Sequence, residues 1–345
     1  MYFRKLKKLA PGDRVGIVSP SFTAPAVFPQ IYELGLSRMQ NVFALDPVEL
    51  PSNRKIDASL ADRASDLVEA FRNSQLKAIF ATIGGDHQVM YVHKMEKACF
   101  ESNPKPFFGF SDNTHFCNFL WLAGIPSYYG ASILCQFGMQ GSMDAYTVNY
   151  LKQALFNEGV VEIVSSQQFN DQGLDWGDPT TLNKTRRYQP NEGWYWDGKQ
   201  DASGITWGGC LESIDDILRH DVPIPTPEQF KSVILFFETS EELPSAIYVS
   251  RVLRALGERG ILGNVQGLVV GRPKAWEFDN QKSDTDKDQF KSAQRAAILA
   301  TFRKYNAHGP IVQNLDFGHT DPQFPMPVGR TMTINSTERK IFVEF

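Results

Sequence analysis

The chain has 345 residues, of which 42% are hydrophobic, 12% aromatic and 21% charged. This length is sufficient for two domains with separate cores, and the composition excludes an intrinsically disordered protein. Because the formal net charge is only −4, neither a nucleic acid nor a membrane is indicated as a partner, and we expect a small-molecule ligand.

The cysteines and the N-terminus predict a cytoplasmic protein. Cys99, Cys117, Cys135 and Cys210 form neither a CxxC pair nor a metal-ligand spacing, so we expect free thiols in a reducing compartment and no metal. The opening residues MYFRKLKKLAPGD contain basic residues but no apolar signal-peptide segment, and no stretch reaches the length of a transmembrane helix.

The first part of the chain alternates between strand and helix patterns. Strands are predicted at 13–19, within VFALDPVEL and at 76–82, and helices at about 29–39 and 59–73. Gly84 and Gly85 follow the third strand and are predicted to turn into another helix. Because they stand at the carboxyl end of a parallel strand, their backbone amides could face a ligand, although a plain tight turn is the alternative.

Ser111 occupies a strand-to-helix corner in KPFFGFSDNTHFCNFLWLAG. A serine there can present its hydroxyl as a nucleophile in front of a helix N-terminus. It can also be only a helix N-cap, because Asn113 replaces the second glycine of a G-x-S-x-G elbow. With the strand predicted in IPSYYGAS, the pattern favours an open, mainly parallel sheet covered by helices, in which ligands bind at the carboxyl ends of the strands.

A change of composition follows at about 165–204, which is rich in Gly, Asn, Gln and Trp and has no clear helix or strand period. Trp176, Trp194 and Trp196 argue against simple disorder, and they could either stack on a planar ligand or pack onto their own domain. We therefore divide the chain into a Rossmann-like domain at 1–165, a Trp-bearing loop or linker at 166–205, and a smaller β-rich α/β domain at 206–345.

The last part contains two further candidate residues at strand ends. The apolar strand in KSVILFFETSEE ends on Glu238, with Glu241 and Glu242 close behind, and His319 lies in a Gly-flanked loop within DFGHTDP. A serine nucleophile requires a base, and the base requires a carboxylate that fixes its tautomer. Ser111, Glu238 and His319 could therefore meet in one cleft, although each of them alone has an ordinary structural explanation.

Five separated segments, GDRVGIVSPS, ATIGGD, GFSDNT, FFETSEE and DFGHTDPQFPMPVG, resemble the LD-carboxypeptidase family of serine peptidases (S66). The resemblance extends from about residue 10 to the C-terminus. It implies a Rossmann-like N-terminal domain, a β-rich C-terminal domain and a cofactor-independent Ser-Glu-His triad of Ser111 as nucleophile, Glu238 as orienting carboxylate and His319 as base. It also implies an oxyanion hole of backbone amides at Gly85 and Asp112, with Gly84 beside the substrate, and often a homodimer.

Within this family, the long Trp-bearing segment is similar to that of the microcin C self-immunity branch. That branch cleaves the amide between an aminoacyl group and a modified nucleotide, and the similarity implies that Trp176 stacks on the base. Arg186 and Arg187 could add charge near a phosphate or carboxylate, or could simply be solvated. The muropeptide branch, which removes the terminal D-alanine from an L,D-linked tetrapeptide, is the alternative.

Two interpretations from other classes remain. A non-catalytic protein that binds a nucleotide or peptide would need the cleft glycines and tryptophans but not the Ser, Glu and His set. A Rossmann-type oxidoreductase is disfavoured, because no G-x-G-x-x-G follows the first strand.

Overall fold

The computed structural model describes residues 2–345 and contains two large sheets and one two-stranded sheet. The strands in chain order are β1 Arg14–Val18, β2 Asp46–Glu49, β3 Leu76–Ala81, β4 Phe107–Gly109, β5 Ser127–Tyr129, β6 Val160–Ile163, β7 Gln168–Phe169, β8 Gln189–Pro190, β9 Tyr195–Asp197, β10 Ala202–Cys210, β11 Val233–Glu238, β12 Gly267–Gly271, β13 Ile311–Leu315, β14 Met326–Val328, β15 Thr331–Asn335 and β16 Lys340–Glu344.

The α-helices lie between these strands, and several begin at a capping side chain. They are α1 Ala24–Val27, α2 Pro29–Phe43, α3 Leu60–Arg72, α4 Lys97–Glu101, α5 Thr114–Leu122, α6 Ala145–Phe156, α7 Leu211–Arg219, α8 Pro227–Phe230, α9 Ala246–Glu258, α10 Ile261–Asn264 and α11 Asp284–Tyr305. In α3, for example, Ser59 and Asp62 form a reciprocal capping box that provides partners for two backbone amides of the first turn.

The first sheet has the strand order β14-β5-β4-β3-β1-β2, and all of its neighbours are parallel except the β14–β5 pair. The second sheet has the order β6-β16-β15-β10-β11-β12-β13-β9, with β10 to β13 parallel at its centre and antiparallel strands on both sides. The predicted α/β class with a Rossmann-like parallel sheet and a second sheet is confirmed. With eight strands, the second sheet has two more than the first.

One strand from the first part of the chain belongs to the second sheet, and one strand from the last part belongs to the first sheet. Strand β6, at 160–163, pairs with β16 in the second sheet, and strand β14, at 326–328, forms the edge of the first sheet beside β5. The chain therefore passes between the two sheets more than once. The boundaries at residues 165 and 205 stay a prediction, and neither sheet is formed by one side of them alone.

Helix α5, directly after Ser111, packs against strand β10 of the second sheet and joins the two layers. Trp121 donates its indole hydrogen to the carbonyl of Thr206 (3.2 Å), and Trp207 donates to the side chain of Asn118 (3.1 Å). Eight of the nine α5 residues are buried. This burial explains why the sequence of α5 is apolar on almost all sides.

Two local predictions differ from the structure. The segment 166–205 contains the short strands β7, β8 and β9 and the start of β10, which two- to three-residue strands cannot reveal through a periodic pattern. The turn at Gly84 and Gly85 leads into two short 3₁₀ turns, Gln88–Met90 and Val92–Lys94, and not into an α-helix.

The four cysteines are free, as predicted. Within residues 2–345, no helix is both long and apolar enough to cross a membrane. The same residues contain no group of three or more His, Cys, Asp and Glu side chains that could bind a metal ion.

Candidate active site

A cavity of about 740 Å³ opens between the two sheets at the ends of several strands. Gly84, Gly85, Ser111, Trp176 and His319 all line it. In a parallel sheet the carboxyl ends of the strands meet at one edge, which is where ligands bind in open α/β folds. The structure thus brings residues from distant parts of the sequence to one cleft.

Ser111 follows strand β4 at an abrupt turn of the backbone. Its φ of +63° lies in the left-handed region, which a residue with a Cβ adopts only at a cost of about 1–2 kcal/mol. Gly84 permits the close approach of this turn, because a Cβ added there would lie 2.6 Å from Ser111 Cβ and 2.9 Å from Ser111 Oγ. Strained, compact geometry of this kind often occurs where a side chain must be presented to a ligand.

Glu238 and His319 form a buried carboxylate–imidazole pair. Glu238 ends strand β11 with no exposed surface, and its Oε2 lies 2.7 Å from His319 Nδ1. Gly318 allows this contact, because a Cβ at that position would lie 2.5 Å from Glu238 Oε2. A carboxylate at Nδ1 fixes the ring and favours the tautomer whose Nε2 can act as a base.

Tyr129 connects this pair to Ser111. Its hydroxyl donates to Glu238 Oε1 (2.5 Å) and accepts the backbone N–H of Ser111 (2.9 Å). Burial, and then the charge of Glu238, raise the pKa of Tyr129 well above its ordinary value, so the phenol stays protonated and remains a donor. Strand β5, which carries Tyr129, therefore links the strand ends of the two sheets.

The Tyr129→Phe variant should lower the free energy of unfolding by about 1–3 kcal/mol, because a buried amide and a buried carboxylate each lose a partner. Chemical denaturation would measure this loss. Tyr305→Phe is the matched control, since the Tyr305 hydroxyl donates to Glu258 at an exposed site and its removal should have a much smaller effect. Equal losses in the two variants would contradict the buried bridge.

The second nitrogen of His319 is bonded to a different carboxylate. Nε2 lies 3.0 Å from Oε2 of Glu241, whose side chain is 52% exposed. Among residues 2–345 no hydrogen bond joins Ser111 Oγ to His319, although both side chains line the cleft. The structure thus brings Glu238 and His319 into direct contact and places Ser111 in the same cleft without bonding it to the imidazole.

The two carboxylates determine the charge of His319. Burial alone lowers the pKa of a histidine, but Glu238 and Glu241 outweigh that effect and raise the pKa of His319 to about 10. Despite the partial desolvation of Glu241, the same pairing lowers the pKa of its carboxyl to about 2. At neutral pH the unliganded site therefore contains an imidazolium.

Gly85 and Asp112, the residues predicted for an oxyanion hole, follow Gly84 and Ser111 in sequence, and those two residues approach each other closely. Gly85 has a φ of +146°, and no hydrogen-bond acceptor for its backbone amide occurs within the described part of the chain. The Asp112 side chain is buried and accepts the amide of Gln88 (3.1 Å), and burial raises its pKa. This contact ties the Ser111 turn to the loop after Gly85.

Trp176 and Arg186 occupy the part of the cleft formed by the segment 166–205. The ring of Trp176 packs edge-to-face on Phe28, with 5.5 Å between centroids, and is partly exposed to the cavity. Arg186 is buried in an ion pair with Asp321 and is not a solvated surface arginine. Trp194 donates to Asp316 and does not line the cavity.

Sequence reasoning assigned no role to Tyr129 or Glu241. Tyr129 ends a strand beside the one that precedes Ser111, so the convergence of parallel strand ends was the available signal. Glu241 was visible as an acid after β11, but its contact with His319 depends on how two distant loops meet. No local pattern encodes that contact.

Comparison with known proteins identifies relatives along nearly the whole chain. Family models of the LD-carboxypeptidase N-terminal and C-terminal domains match residues 15–130 and 203–334. A putative carboxypeptidase of Treponema pallidum is 26% identical over 97% of this chain and 94% of its own length. The microcin C7 self-immunity protein MccF of Escherichia coli is 22% identical with the same coverage of both chains.

Solved structures confirm the fold. The MccF-like protein from Streptococcus pneumoniae in complex with AMP has a TM-score of 0.84 at 27% identity and covers 97% of this chain and 99% of its own. MccF in complex with aspartyl sulfamoyl adenosine has a TM-score of 0.83 at 20% identity and covers 99% and 98%. Since the two family models together match most of the sequence, the chain belongs to the LD-carboxypeptidase (S66) family of peptidases.

Proposed function

We propose that this protein is a serine hydrolase that cleaves the amide between an aminoacyl or peptidyl group and a modified nucleotide. The observation that carries the proposal is the buried Glu238–His319 pair, which lies in the same cleft as Ser111 with its left-handed backbone conformation. A carboxylate-oriented imidazole in the same cleft as a serine hydroxyl provides the groups that acyl transfer requires. Membership of a peptidase family supports the same reaction class.

In the proposed reaction, Nε2 of neutral His319 accepts the Ser111 proton while Oγ attacks the acyl carbon. The backbone amides of Gly85 and Asp112 stabilise the negative oxygen that develops, an effect of about 3–4 kcal/mol per donor in other enzymes. His319 then protonates the leaving nitrogen, and an acyl-Ser111 intermediate forms. Water, activated by the same imidazole, hydrolyses this ester and restores the serine.

The nucleotide part of the proposal rests on the aromatic side of the cleft. Trp176 is partly exposed to a cavity of about 740 Å³, which is large enough for an aminoacyl nucleoside. Relatives of the same fold were solved with AMP and with aspartyl sulfamoyl adenosine. These observations favour the immunity-type substrate over the second candidate, removal of D-alanine from an L,D-tetrapeptide, which the relatives described as putative carboxypeptidases keep open.

A mass-spectrometric product assay tests the proposal. The wild-type protein is incubated separately with aspartyl sulfamoyl adenosine and with an L,D-tetrapeptide. Release of aspartate and sulfamoyl adenosine is expected, and loss of D-alanine would instead favour the carboxypeptidase. Binding of the nucleoside without any product from either compound would favour a non-catalytic binding protein and would contradict a hydrolase.

The Trp176→Ala variant should raise KM for aspartyl sulfamoyl adenosine by about 5- to 100-fold while kcat changes little, because stacking of a base on an aromatic ring contributes about 1–3 kcal/mol. Trp176→Phe keeps a stacking ring and should recover most of the affinity. Steady-state kinetics of both variants would test this expectation. An unchanged KM in Trp176→Ala would rule out stacking at this position.

The predicted homodimer and the division into domains at residues 165 and 205 stay proposals. Sedimentation of the full chain would test the homodimer.

Limited proteolysis would test the division into domains. A cut at about residue 165 should leave both parts associated, since strands β6 and β14 each pair with the other sheet.

A further inference from the structure

The imidazole of His319 lies between two carboxylates. Nδ1 is 2.7 Å from Glu238 and Nε2 is 3.0 Å from Glu241. An imidazole that donates at both nitrogens carries two protons and has no lone pair with which to accept a third. In this arrangement His319 cannot act as the base for Ser111. One of the two carboxylates must therefore separate from the imidazole before the reaction.

Of the two carboxylates, Glu241 is the one that can release the ring. Glu238 is fully buried at a strand end and also accepts the Tyr129 hydroxyl. Glu241 lies in the loop after β11, lines the cleft and is 52% exposed. Water and a ligand can therefore reach Glu241, and its separation from His319 leaves no buried charge without a partner.

The charges around the cleft leave Glu241 without a lysine or arginine partner. Within residues 2–345, its carboxylate forms an ion pair only with His319. The arginine and the lysine that line the cleft within residues 2–345 are each already paired, Arg186 with Asp321 and Lys274 with Glu277. Asp86 and Asp175 also line the cleft, but among these three carboxylates it is Glu241 that contacts His319. A positively charged group bound to Glu241 would therefore lie beside the imidazole.

We propose that Glu241 is a specificity-determining residue that selects substrates with an ammonium group on the acyl side of the scissile amide. The inference rests on the hydrolase function proposed above. The substrate ammonium replaces His319 as the partner of Glu241. The imidazolium then loses its Nε2 proton to water, and the free Nε2 accepts the proton of Ser111 as Oγ attacks the acyl carbon.

The replacement of His319 by the substrate ammonium at Glu241 favours deprotonation of the imidazolium for electrostatic reasons. A substrate ammonium beside Glu241 adds a positive charge near the imidazolium and removes one of its two anionic partners. Both changes favour the neutral imidazole. A substrate whose amino group is acylated brings no such charge and leaves His319 bonded to Glu241. The free enzyme thus holds His319 mainly in the protonated form until a ligand with a matching charge is bound.

The test compares two substrates that differ only in this charge, aspartyl sulfamoyl adenosine and its N-acetyl derivative. The wild type should cleave the first with a kcat/KM about 10- to 100-fold higher, the range that a hydrogen bond between charged groups provides. Glu241→Gln should lose this preference. It should also cleave the N-acetyl compound faster than the wild type does, because its His319 is no longer bonded to a carboxylate at Nε2.

Two variants serve as controls. Glu242→Gln makes the same chemical change one residue further along, at a side chain that does not line the cleft, and should behave as the wild type. Glu241→Asp keeps the charge on a shorter side chain and should restore part of the preference. A purely structural role for Glu241 would lower the rates for both substrates in Glu241→Gln, which is the opposite of the expected increase for the N-acetyl compound.

The pH profile gives an independent readout. The ionisable groups that act on His319 are Glu238 and Glu241, with Glu242 also interacting with it, and the charge of Lys274 acts on Glu241. Removing the Glu241 carboxylate removes one cause of the raised pKa of His319, so the neutral base forms at lower pH. The acidic limb of kcat/KM for the N-acetyl compound should therefore move to lower pH in Glu241→Gln.

The outcomes separate the inference from the function on which it rests. Equal cleavage of both substrates by the wild type, or an unchanged preference in Glu241→Gln, would overturn the role of Glu241 and leave the hydrolase intact. If the wild type yields no product from either compound, the hydrolase itself is wrong and the inference is overturned with it. If Glu241→Gln loses the preference for the free amino group and its acidic limb also moves to lower pH, the result supports both the role of Glu241 and the hydrolase function.

Discussion

Ser111→Ala is expected to lower kcat by about 10⁴-fold or more, because the acyl-enzyme cannot form without the Oγ atom. The fold should not change. Ser111 has its backbone amide tied to Tyr129 and its carbonyl tied to the Thr114 hydroxyl (2.7 Å), and neither contact uses the side-chain hydroxyl. Product formation by mass spectrometry would measure the loss, and circular dichroism would verify the fold.

A second substitution at this position separates chemistry from backbone strain. Ser111→Gly removes the same hydroxyl and also relieves the cost of a left-handed φ of +63°. We expect it to be as inactive as Ser111→Ala and at least as stable to denaturant. Substantial turnover in either variant would mean that another residue is the nucleophile.

Glu238→Gln is expected to lower kcat by about 10³- to 10⁴-fold with little change in the shape of the site. The amide oxygen of the new side chain can still accept the Tyr129 hydroxyl. Its NH₂ group would then face Nδ1 of His319, which must become an acceptor. The ring proton moves to Nε2, and this tautomer cannot accept the Ser111 proton.

The control for this prediction is Glu242→Gln, which makes the same exchange at an exposed side chain. It should retain wild-type turnover. Burst kinetics would show whether Glu238→Gln slows formation of the acyl-enzyme, as the tautomer argument requires. If both variants retained full activity, Glu238 would have only a structural role.

The sequence was sufficient to predict the position of those candidate residues that lie at the ends of strands. Ser111 and Glu238 follow apolar strands directly, so their place at the edge of a sheet could be predicted from local patterns. His319 was predicted from a Gly-flanked loop, and the structure places that loop against Glu238. Each of these positions depends on one strand or loop and its direction, and the catalytic roles of the three residues stay a prediction.

Other features depend on the packing of distant segments and were not predictable. The contact of Glu241 with His319 joins two loops that are far apart in sequence, and the Tyr129 bridge spans two sheets. Strands β7, β8 and β9 have only two or three residues each, too few for a period to be detected. Their existence is determined by neighbouring strands and not by their own composition.

The exchange of strands β6 and β14 has a consequence for how the protein unfolds. A fragment cut near residue 165 would lose the edge strand of the first sheet, and the second sheet would lose the strand beside β16. Each half would then expose unpaired backbone along a sheet edge, which favours aggregation. The two sheets and their helices should accordingly unfold together in a single calorimetric transition. Neither of the fragments on the two sides of residue 165 should be recoverable as a stable recombinant protein.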